Sequence, residues 1–255
     1  IGMMYKKDSK KTAWSGEVGK WYKTLVGKEG SFYHQKIVIP GALRLLNLKK
    51  EEKLLEFGCG QGILGRQIVN EYMGLDLSPE LITEAKNFDK NEKHYYWVGD
   101  VCQPVKLHKT YEKGAMILSL QNFKKPYIAI KNMSMWLKDK GELILIINHP
   151  AFRIPQHSDW IVKDEKQWRI ESIYMSHEEI EIKSSPFDRK NNQKSFSYHW
   201  SISAISEMLL DNGFIISKIE EWVSPKKSEG KMARIEDKAR QEFPLFMAVV
   251  AKKYE

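Results

Sequence analysis

The strongest chemical signal in the sequence is a run of three alternating glycines behind a short apolar segment. The segment LLEFGCGQG starts at Leu54 and carries its glycines at positions 58, 60 and 62. Only glycine lets a backbone turn this tightly and approach a ligand closely, because it has no Cβ. The segment therefore predicts a strand that ends in a ligand-binding turn. The helix expected after the turn would offer free N–H groups to a carboxylate or a phosphate.

Acidic residues end the next two apolar runs. Asp76 closes YMGLD, and Asp100 closes HYYWVGD. The carboxyl ends of parallel strands meet at one edge of a sheet, so the glycine turn and both carboxylates are expected to lie together there. A carboxylate at position 76 can accept hydrogen bonds from both hydroxyls of a ribose, and one at position 100 can accept from the exocyclic amine of an adenine. The three features together predict an adenosine-containing ligand.

A dinucleotide such as NAD is the competing ligand. Gly60, Gly62 and Gly65 satisfy the pattern G-x-G-x-x-G, which binds the pyrophosphate of dinucleotides. In that pattern the first glycine follows the strand directly. Here Gly58 takes that place, with Glu56 two positions earlier. The register therefore argues against a dinucleotide.

Three segments resemble the first three motifs of the class I S-adenosylmethionine-dependent methyltransferases: LLEFGCGQG, GLDLSPELI and VGDV. The order of predicted strands also matches that family over residues 54–251. The resemblance implies an enzyme that transfers a methyl group from S-adenosylmethionine. The stretches NHPAFRIP and RQEFPLF resemble a bacterial subgroup of the family. One departure is the interval from Gly58 to Asp76, which is a few residues shorter than usual, so the helix after Gly62 must be short unless residues near Asn70 are absent.

The resemblance also implies roles for individual residues. Glu56 and the glycine turn would hold the methionine end of the cofactor, with Cys59 as a small residue within the turn. The aspartate at the end of the second strand would bind the ribose. The two residues that end the third strand would bind the edge of the adenine, and Ser119 would line the methyl-transfer pocket. The implied cofactor-binding set is Glu56, Gly58, Cys59, Gly60, Gly62, Asp76, Leu77, Asp100, Val101 and Ser119, in which Leu77 faces the adenine ring.

The sequence predicts an α/β fold with a Rossmann-like, mostly parallel sheet. From residue 53 onward, short apolar runs alternate with helical segments, which is typical of βαβ units. We expect seven strands with helices on both faces. The predicted parts are an N-terminal helical cap (3–48), a cofactor-binding half (49–148), an antiparallel β insertion on the substrate side (149–200) and the C-terminal part of the same sheet (201–255).

Capping residues and glycines predict where individual helices start and stop. Apolar residues recur at intervals of three and four over 12–26, which indicates an amphipathic helix. Pro40 suits the first turn of a second helix, and Ser78 suits the N-cap of a third. Gly141 and Gly213 are expected to end helices that precede strands.

The acceptor of the methyl group is predicted to be a small molecule that is methylated on O or N. The insertion is rich in aromatic side chains, which would suit an enclosed pocket but would equally suit a packed core. The alternatives are an RNA acceptor, such as tRNA or rRNA, and a non-enzymatic protein that binds S-adenosylmethionine. The net charge of +8, from 41 Lys and Arg against 33 Asp and Glu, favours nucleic acid. The lysines are scattered, however, and no appended RNA-binding module is visible, so nucleic acid is the less favoured partner.

A histidine is the expected base wherever methylation requires removal of a proton. His149 directly follows the fifth predicted strand, so its imidazole should emerge at the ligand-binding edge. His34, His157 and His199 are the alternatives, and His149 could instead only cap the strand. The histidines and cysteines lack metal-ligand spacing, so no metal site is expected.

Composition favours a cytoplasmic protein. The chain has two cysteines, Cys59 and Cys102, in 255 residues, which is typical of a reducing compartment. No apolar run reaches the roughly 18 residues that a bilayer-spanning helix needs, so no membrane partner is expected. The oligomeric state stays open.

Overall fold

The computed structural model describes residues 29–182 and 195–254. The amphipathic helix predicted over 12–26 lies outside these residues. The described part begins with a π-helical turn, His34–Val38, that continues directly into the first α-helix.

The described residues contain eleven strands, of which seven form one central sheet. In chain order the strands are β1 Leu54–Phe57, β2 Tyr72–Asp76, β3 His94–Val98, β4 Tyr111–Ile117, β5 Leu137–Asn148, β6 Ser158–Lys163, β7 Lys166–Glu171, β8 Glu178–Ile182, β9 Ser195–His199, β10 Phe214–Trp222 and β11 Phe246–Lys253. The sheet has the order β10-β11-β5-β4-β1-β2-β3. The first five strands pair in parallel, whereas β11 lies antiparallel between β5 and β10. The predicted, mostly parallel α/β sheet is confirmed.

Helices cover both faces of the sheet, as predicted. The α-helices are α1 Ile39–Leu46, α2 Pro79–Phe88, α3 Pro126–Trp136, α4 Ile202–Leu210 and α5 Ala233–Glu242. Two separate clusters of buried side chains lie between helices and sheet. One contains Ile130 of α3 and Leu209 of α4, and the other contains Leu46 of α1 and Ile82 of α2.

Three predicted helix boundaries are confirmed. Pro40 lies in the first turn of α1. The Ser78 hydroxyl caps α2 by accepting a hydrogen bond from the N–H of Leu81, at 3.3 Å. Gly213, with φ +83°, follows the end of α4 and donates its N–H to the carbonyl oxygen of Leu210. These boundaries depend on local backbone chemistry, which the sequence carries directly.

The prediction that Gly141 ends a helix is wrong. Helix α3 already ends at Trp136, and Gly141 lies within β5. A Cβ on Gly141 would lie 2.8 Å from the carbonyl oxygen of Lys138 and 3.0 Å from that of Glu112. Glycine is needed here because backbone segments approach each other closely, a requirement that sequence patterns do not distinguish from a helix end.

The insertion between β5 and α4 contains two antiparallel hairpins. Strand β6 pairs with β7, and β8 pairs with β9, so the predicted antiparallel insertion is confirmed. Strand β6 is an additional strand, which the sequence patterns miss because its residues are almost all exposed. Among the described residues, every helix is too short or too polar to cross a bilayer.

Candidate functional site

The glycine turn after β1 adopts a left-handed backbone. Gly58, Gly60 and Gly62 have φ angles of +72°, +54° and +74°, a region in which other residues are strained. A Cβ on Gly58 would lie 2.4 Å from the Cβ of Ser119, just after β4. On Gly60, a Cβ would have no heavy atom of the described residues within 4 Å. The turn is therefore packed against the end of β4 at its first glycine and open at its second.

Asp76 ties the glycine turn to the start of α2. One carboxylate oxygen, Oδ2, accepts the N–H of Gly60 at 2.8 Å, and the other, Oδ1, accepts the N–H of Ser78 at 2.9 Å. Burial raises the pKa of Asp76, and the hydrogen bonds from these two N–H groups oppose that rise. A carboxylate has about four acceptor positions, so each oxygen of Asp76 keeps capacity for a further donor.

The ends of β2 and β3 lie side by side, as the motif order predicts. Asp76 pairs with Val98 in the sheet register, and the N–H of Gly99 donates to the carbonyl oxygen of Asp76 at 2.9 Å. Asp100 follows directly and accepts the N–H of Cys102 at 2.8 Å. Two residues complete this edge: Leu77, which is 39% exposed, and Val101, which is buried in the core. The sheet thus brings both predicted acids to one edge, next to the glycine turn.

Glu56 lies beneath the glycine turn and not on its open side. It is only 3% exposed, and its carboxyl accepts a hydrogen bond from the hydroxyl of Tyr72. Burial raises the pKa of Glu56 to about 8, and the negative charge of Asp76 adds to the rise while the Tyr72 hydrogen bond opposes it. The carboxyl is therefore mostly protonated at neutral pH. Contact between Glu56 and a cofactor stays a prediction.

The helix expected after the glycine turn is a single 3₁₀ turn, Gly65–Gln67. This confirms that the segment is short, and the α-helix expected at this point is replaced by that turn. The N–H of Gly62 donates to the carbonyl oxygen of Cys59, within the turn itself. The side chain of Tyr96 fills the adjoining space, since a Cβ on Gly62 or Gly65 would lie 2.7 or 2.6 Å from its hydroxyl oxygen. These two glycines are needed for packing.

The end of β4 carries an unusual backbone that sequence reasoning missed. Leu118 has φ +52°, which is strained for a bulky residue and is found mainly where surrounding structure holds it in place. The side-chain amides of Gln121 and Asn122 both donate to the carbonyl oxygen of Leu118. The next residue, Ser119, donates its hydroxyl to the carbonyl oxygen of Phe57 at 2.8 Å. This strained segment joins the ends of β1 and β4 beside the glycine turn.

A cleft lies next to Ser119, one strand further along the same edge. It is bounded by the segments after β4 and β5 and by the end of β9, and its lining includes Leu120, Gln121, Ile147, Arg153, His199 and Trp200. The centre of a water-sized sphere can reach about 30 Å³ of the cleft, and the whole space between its walls, open side included, is about 410 Å³. The cleft can thus take a small chemical group, with the rest of a ligand on its open side.

His149 lies between two residues that line this cleft, Asn148 and Pro150, and both of its ring nitrogens are engaged. Nδ1 accepts the N–H of Ala151 at 3.2 Å, and Nε2 lies 2.6 Å from a carboxylate oxygen of Glu221 on β10. The ring is 1% exposed and stacks on Phe152 at 4.7 Å between centroids. Burial lowers the pKa of His149, and Glu221 opposes this. The lone pair that a base requires is already used, so the geometry favours a structural role for this residue.

The other three predicted histidines lie at different places. Nδ1 of His157 lies 3.0 Å from the hydroxyl oxygen of Ser172. His34 lies on the π-helical turn, where Nδ1 hydrogen-bonds the Ser31 hydroxyl at 2.8 Å. His199 ends β9 and lines the cleft, and its Nε2 donates to the carbonyl oxygen of Tyr174 at 2.8 Å. Burial lowers the pKa of His34 and that of His199. Of the four predicted histidines, only His199 is a lining residue of the cleft.

A comparison with known protein families matches the part of the chain that carries the glycine turn and the two aspartates. Residues 55–145 match the family described as "Methyltransferase domain". The match covers 91 of the 255 residues and includes the glycine turn, both aspartates and Ser119. It supports an enzyme over a non-enzymatic binding protein.

Solved structures of S-adenosylmethionine-dependent methyltransferases share the fold. One from Mesorhizobium loti is 19% identical, with a TM-score of 0.67, and the match covers 86% of this chain and 99% of that one. A Listeria monocytogenes protein assigned to the same class is 22% identical, with a TM-score of 0.66 and coverage of 85% and 98%. A glycopeptide N-methyltransferase solved with S-adenosyl-L-methionine is 14% identical, with a TM-score of 0.55 and coverage of 85% and 92%. No curated protein sequence matches this chain.

Proposed function

We propose that this protein transfers a methyl group from S-adenosylmethionine to an oxygen or nitrogen of a small-molecule acceptor. The observation that supports the proposal is the position of the cleft. It begins at the segment after Ser119, whose Cβ packs against Gly58 of the glycine turn. A cofactor at the turn and an acceptor in the cleft would therefore lie side by side along the carboxyl ends of β1, β2, β3, β4 and β5.

The residues at the glycine turn fit an adenosine-containing cofactor. The open space at Gly60 leaves room beside the backbone. Asp76 keeps acceptor capacity on both carboxylate oxygens, which would suit the two hydroxyls of a ribose. The exposed part of Leu77 offers an apolar surface for adenine, and Asp100 has acceptor capacity left for its amine.

The chain's own residues then have three tasks. When bound, S-adenosylmethionine supplies an electrophilic methyl group, whose carbon bonds to the acceptor lone pair as the carbon–sulfur bond breaks and its electrons stay on sulfur. The cleft must hold the acceptor in line with that bond and exclude water. Its apolar lining, such as Leu120 and Ile147, and its cover by Trp200 serve both purposes. A base or water must then receive the acceptor's proton.

His199 is the best-placed of the predicted histidines to receive the proton. Its Nε2 carries the hydrogen that binds the carbonyl oxygen of Tyr174, so Nδ1 holds the basic lone pair. The lowered pKa keeps the ring neutral, and hence able to accept a proton, at pH 7. We therefore propose His199 ahead of His149 and His34 as the base.

Labelled methyl transfer tests the proposed function. Calorimetry should detect binding of S-adenosylhomocysteine, the demethylated product, and no binding of NAD. Methyl-labelled S-adenosylmethionine is then incubated with the protein and with a small-molecule cell extract, and Asp76→Ala serves as the matched control that lacks the ribose-binding carboxylate. Label should enter small molecules with the parent protein only. Binding of NAD without S-adenosylhomocysteine would overturn the proposal.

RNA is the second candidate acceptor, and the net charge of +8 favours it. The small size of the cleft, about 410 Å³ with its open side, favours a small molecule. Parallel reactions with total tRNA and rRNA separate the two candidates. Label in RNA, together with transfer that falls steeply as salt increases, would select the RNA acceptor, because phosphate contacts release counterions.

A further inference from the structure

Arg153 is a partly buried cation that has no carboxylate partner in the part of the chain that the structure describes. It lies in the NHPAFRIP stretch after β5 and lines the cleft. Its guanidinium carbon lies 5.4 Å from the ring centroid of Phe246, and within the described residues it forms no ion pair or side-chain hydrogen bond. Burial lowers the pKa of Arg153, Tyr33 partly offsets this decrease, and the positive charge of Arg169 lowers the pKa further. A guanidinium in this setting lacks the counter-charge that buried cations normally have.

The neighbouring Arg169 shows what a satisfied arginine looks like in this protein. Its Nε donates to the carbonyl oxygen of Phe152 at 2.7 Å and lies 3.2 Å from a carboxylate oxygen of Glu171. Within residues 29–182 and 195–254, an acidic partner is therefore present for Arg169 and absent for Arg153. This difference points to a bound anion as the partner of Arg153.

Two further polar atoms of the cleft residues have no hydrogen-bond partner among the residues that the structure describes. They are Nε1 of Trp200, a donor, and Oε1 of Gln121, an acceptor, and both are shielded from solvent. The amide nitrogen of Gln121 donates to the carbonyl oxygen of Leu118 at 3.0 Å, so the oxygen is the free end of that amide. Buried polar groups are nearly always paired. Two orphaned atoms in the lining of one cleft indicate that a ligand satisfies them.

The order of these groups along the edge gives each a place relative to the cofactor. Gln121 belongs to the 3₁₀ turn Leu120–Asn122, directly after Ser119 and hence nearest the glycine turn. Arg153 follows β5, one strand further away, and Trp200 follows β9 in the cover of the cleft. Oε1 of Gln121, which accepts hydrogen bonds, thus lies on the cofactor side of the cleft. The two hydrogen-bond donors, Arg153 and Trp200, lie on its other walls.

We infer that the methyl acceptor carries an oxyanion, a carboxylate or a phosphate, that Arg153 and Trp200 bind. Gln121 accepts a hydrogen bond from another N–H or O–H group of that acceptor, on the cofactor side of the cleft. Each orphaned atom then gains a partner. This inference rests on the proposed function, since it names the class of acceptor for the same site.

Small oxyanions test the inference without knowledge of the acceptor. The protein is labelled with ¹⁵N at its tryptophan indoles, saturated with S-adenosylhomocysteine and titrated with benzoate, phenyl phosphate or the neutral isostere benzamide. Trp200→Phe assigns the Trp200 indole signal. Benzoate or phenyl phosphate should shift this signal, and benzamide should not. The tighter of the two anions identifies carboxylate or phosphate as the preferred oxyanion.

Two arginine variants complete the test. Arg153→Gln should weaken binding of the preferred anion by about 10- to 100-fold, as expected for charge-assisted hydrogen bonds, and Arg153→Lys should weaken it less. Arg44→Gln is the matched control, because Arg44 pairs with Glu220 on the surface, away from the cleft. It should leave anion binding unchanged.

The outcomes separate this inference from the proposed function. Binding of benzamide that is as tight as that of the preferred anion, or undiminished anion binding by Arg153→Gln, would overturn the oxyanion inference. If S-adenosylhomocysteine binds but neither anion shifts the Trp200 signal, the inference fails and the proposed function stands. If S-adenosylhomocysteine itself does not bind, the proposed function fails, and the anion titrations without it still decide whether Arg153 binds an oxyanion.

Discussion

Replacing Glu56 by glutamine should make the stability of this protein less sensitive to pH. The Glu56 carboxyl is 3% exposed and hydrogen-bonded to the Tyr72 hydroxyl. Burial raises its pKa to about 8 in the folded protein, whereas the same carboxyl titrates near 4.5 in the unfolded chain. The folded state therefore binds this proton more tightly than the unfolded state does.

The sign and size of the effect follow from that difference in pKa. The stabilisation from the protonated Glu56 is complete below pH 4.5 and is lost as the pH rises to about 8. Within this window each pH unit lowers the free energy of unfolding by about 1.4 kcal/mol, or about 5 kcal/mol in total. Glutamine cannot ionise and has nearly the same shape as glutamate. Glu56→Gln therefore abolishes this decrease of the free energy of unfolding with rising pH.

Urea unfolding, followed by tryptophan fluorescence at whole pH units from 5 to 8, measures the effect. The free energy of unfolding of Glu56→Gln minus that of the parent should rise by about 1.4 kcal/mol per pH unit. Glu51→Gln is the control, because Glu51 is exposed, and its difference from the parent should not change with pH. A difference for Glu56→Gln that is equally constant would refute the argument that burial keeps this carboxyl protonated.

Three further predictions concern the site. Asp76→Ala should weaken S-adenosylhomocysteine binding in calorimetry by roughly 2 to 4 kcal/mol, since charge-assisted hydrogen bonds to the ribose are lost; unchanged affinity would remove Asp76 from the site. His199→Ala should lower labelled methyl transfer by about 100-fold at unchanged cofactor affinity. His149→Ala should mainly lower Tm, because that ring is buried and stacked. The opposite pattern would restore His149 as the base. Gly58→Ala should lower the free energy of unfolding by about 1 to 3 kcal/mol or more, because the added Cβ would meet the end of β4. Gly60→Ala should lower the free energy of unfolding by about 1 to 2 kcal/mol and should also weaken cofactor binding. Equal cofactor affinity for Gly60→Ala and the parent would show that the open space is not the cofactor site.

Local patterns in the sequence were sufficient for the architecture and for one half of the site. Alternating strands and helices predicted the mostly parallel sheet, and Ser78 and Gly213 predicted helix ends, because these features depend on backbone chemistry within a few residues. The glycine turn and the two aspartates meet at one edge because each directly follows a strand of a parallel sheet.

The other half of the site depends on which distant segments the fold brings together. His149 follows its strand as predicted, but its partner Glu221 comes from β10, and this contact decides which lone pair remains. Gln121, Arg153 and Trp200 are separated along the chain and carry no shared pattern, and only the position of the insertion beside β4 and β5 places them around one cleft. A single sequence states which polar groups exist, whereas the tertiary structure decides which of them are paired and which are left for a ligand.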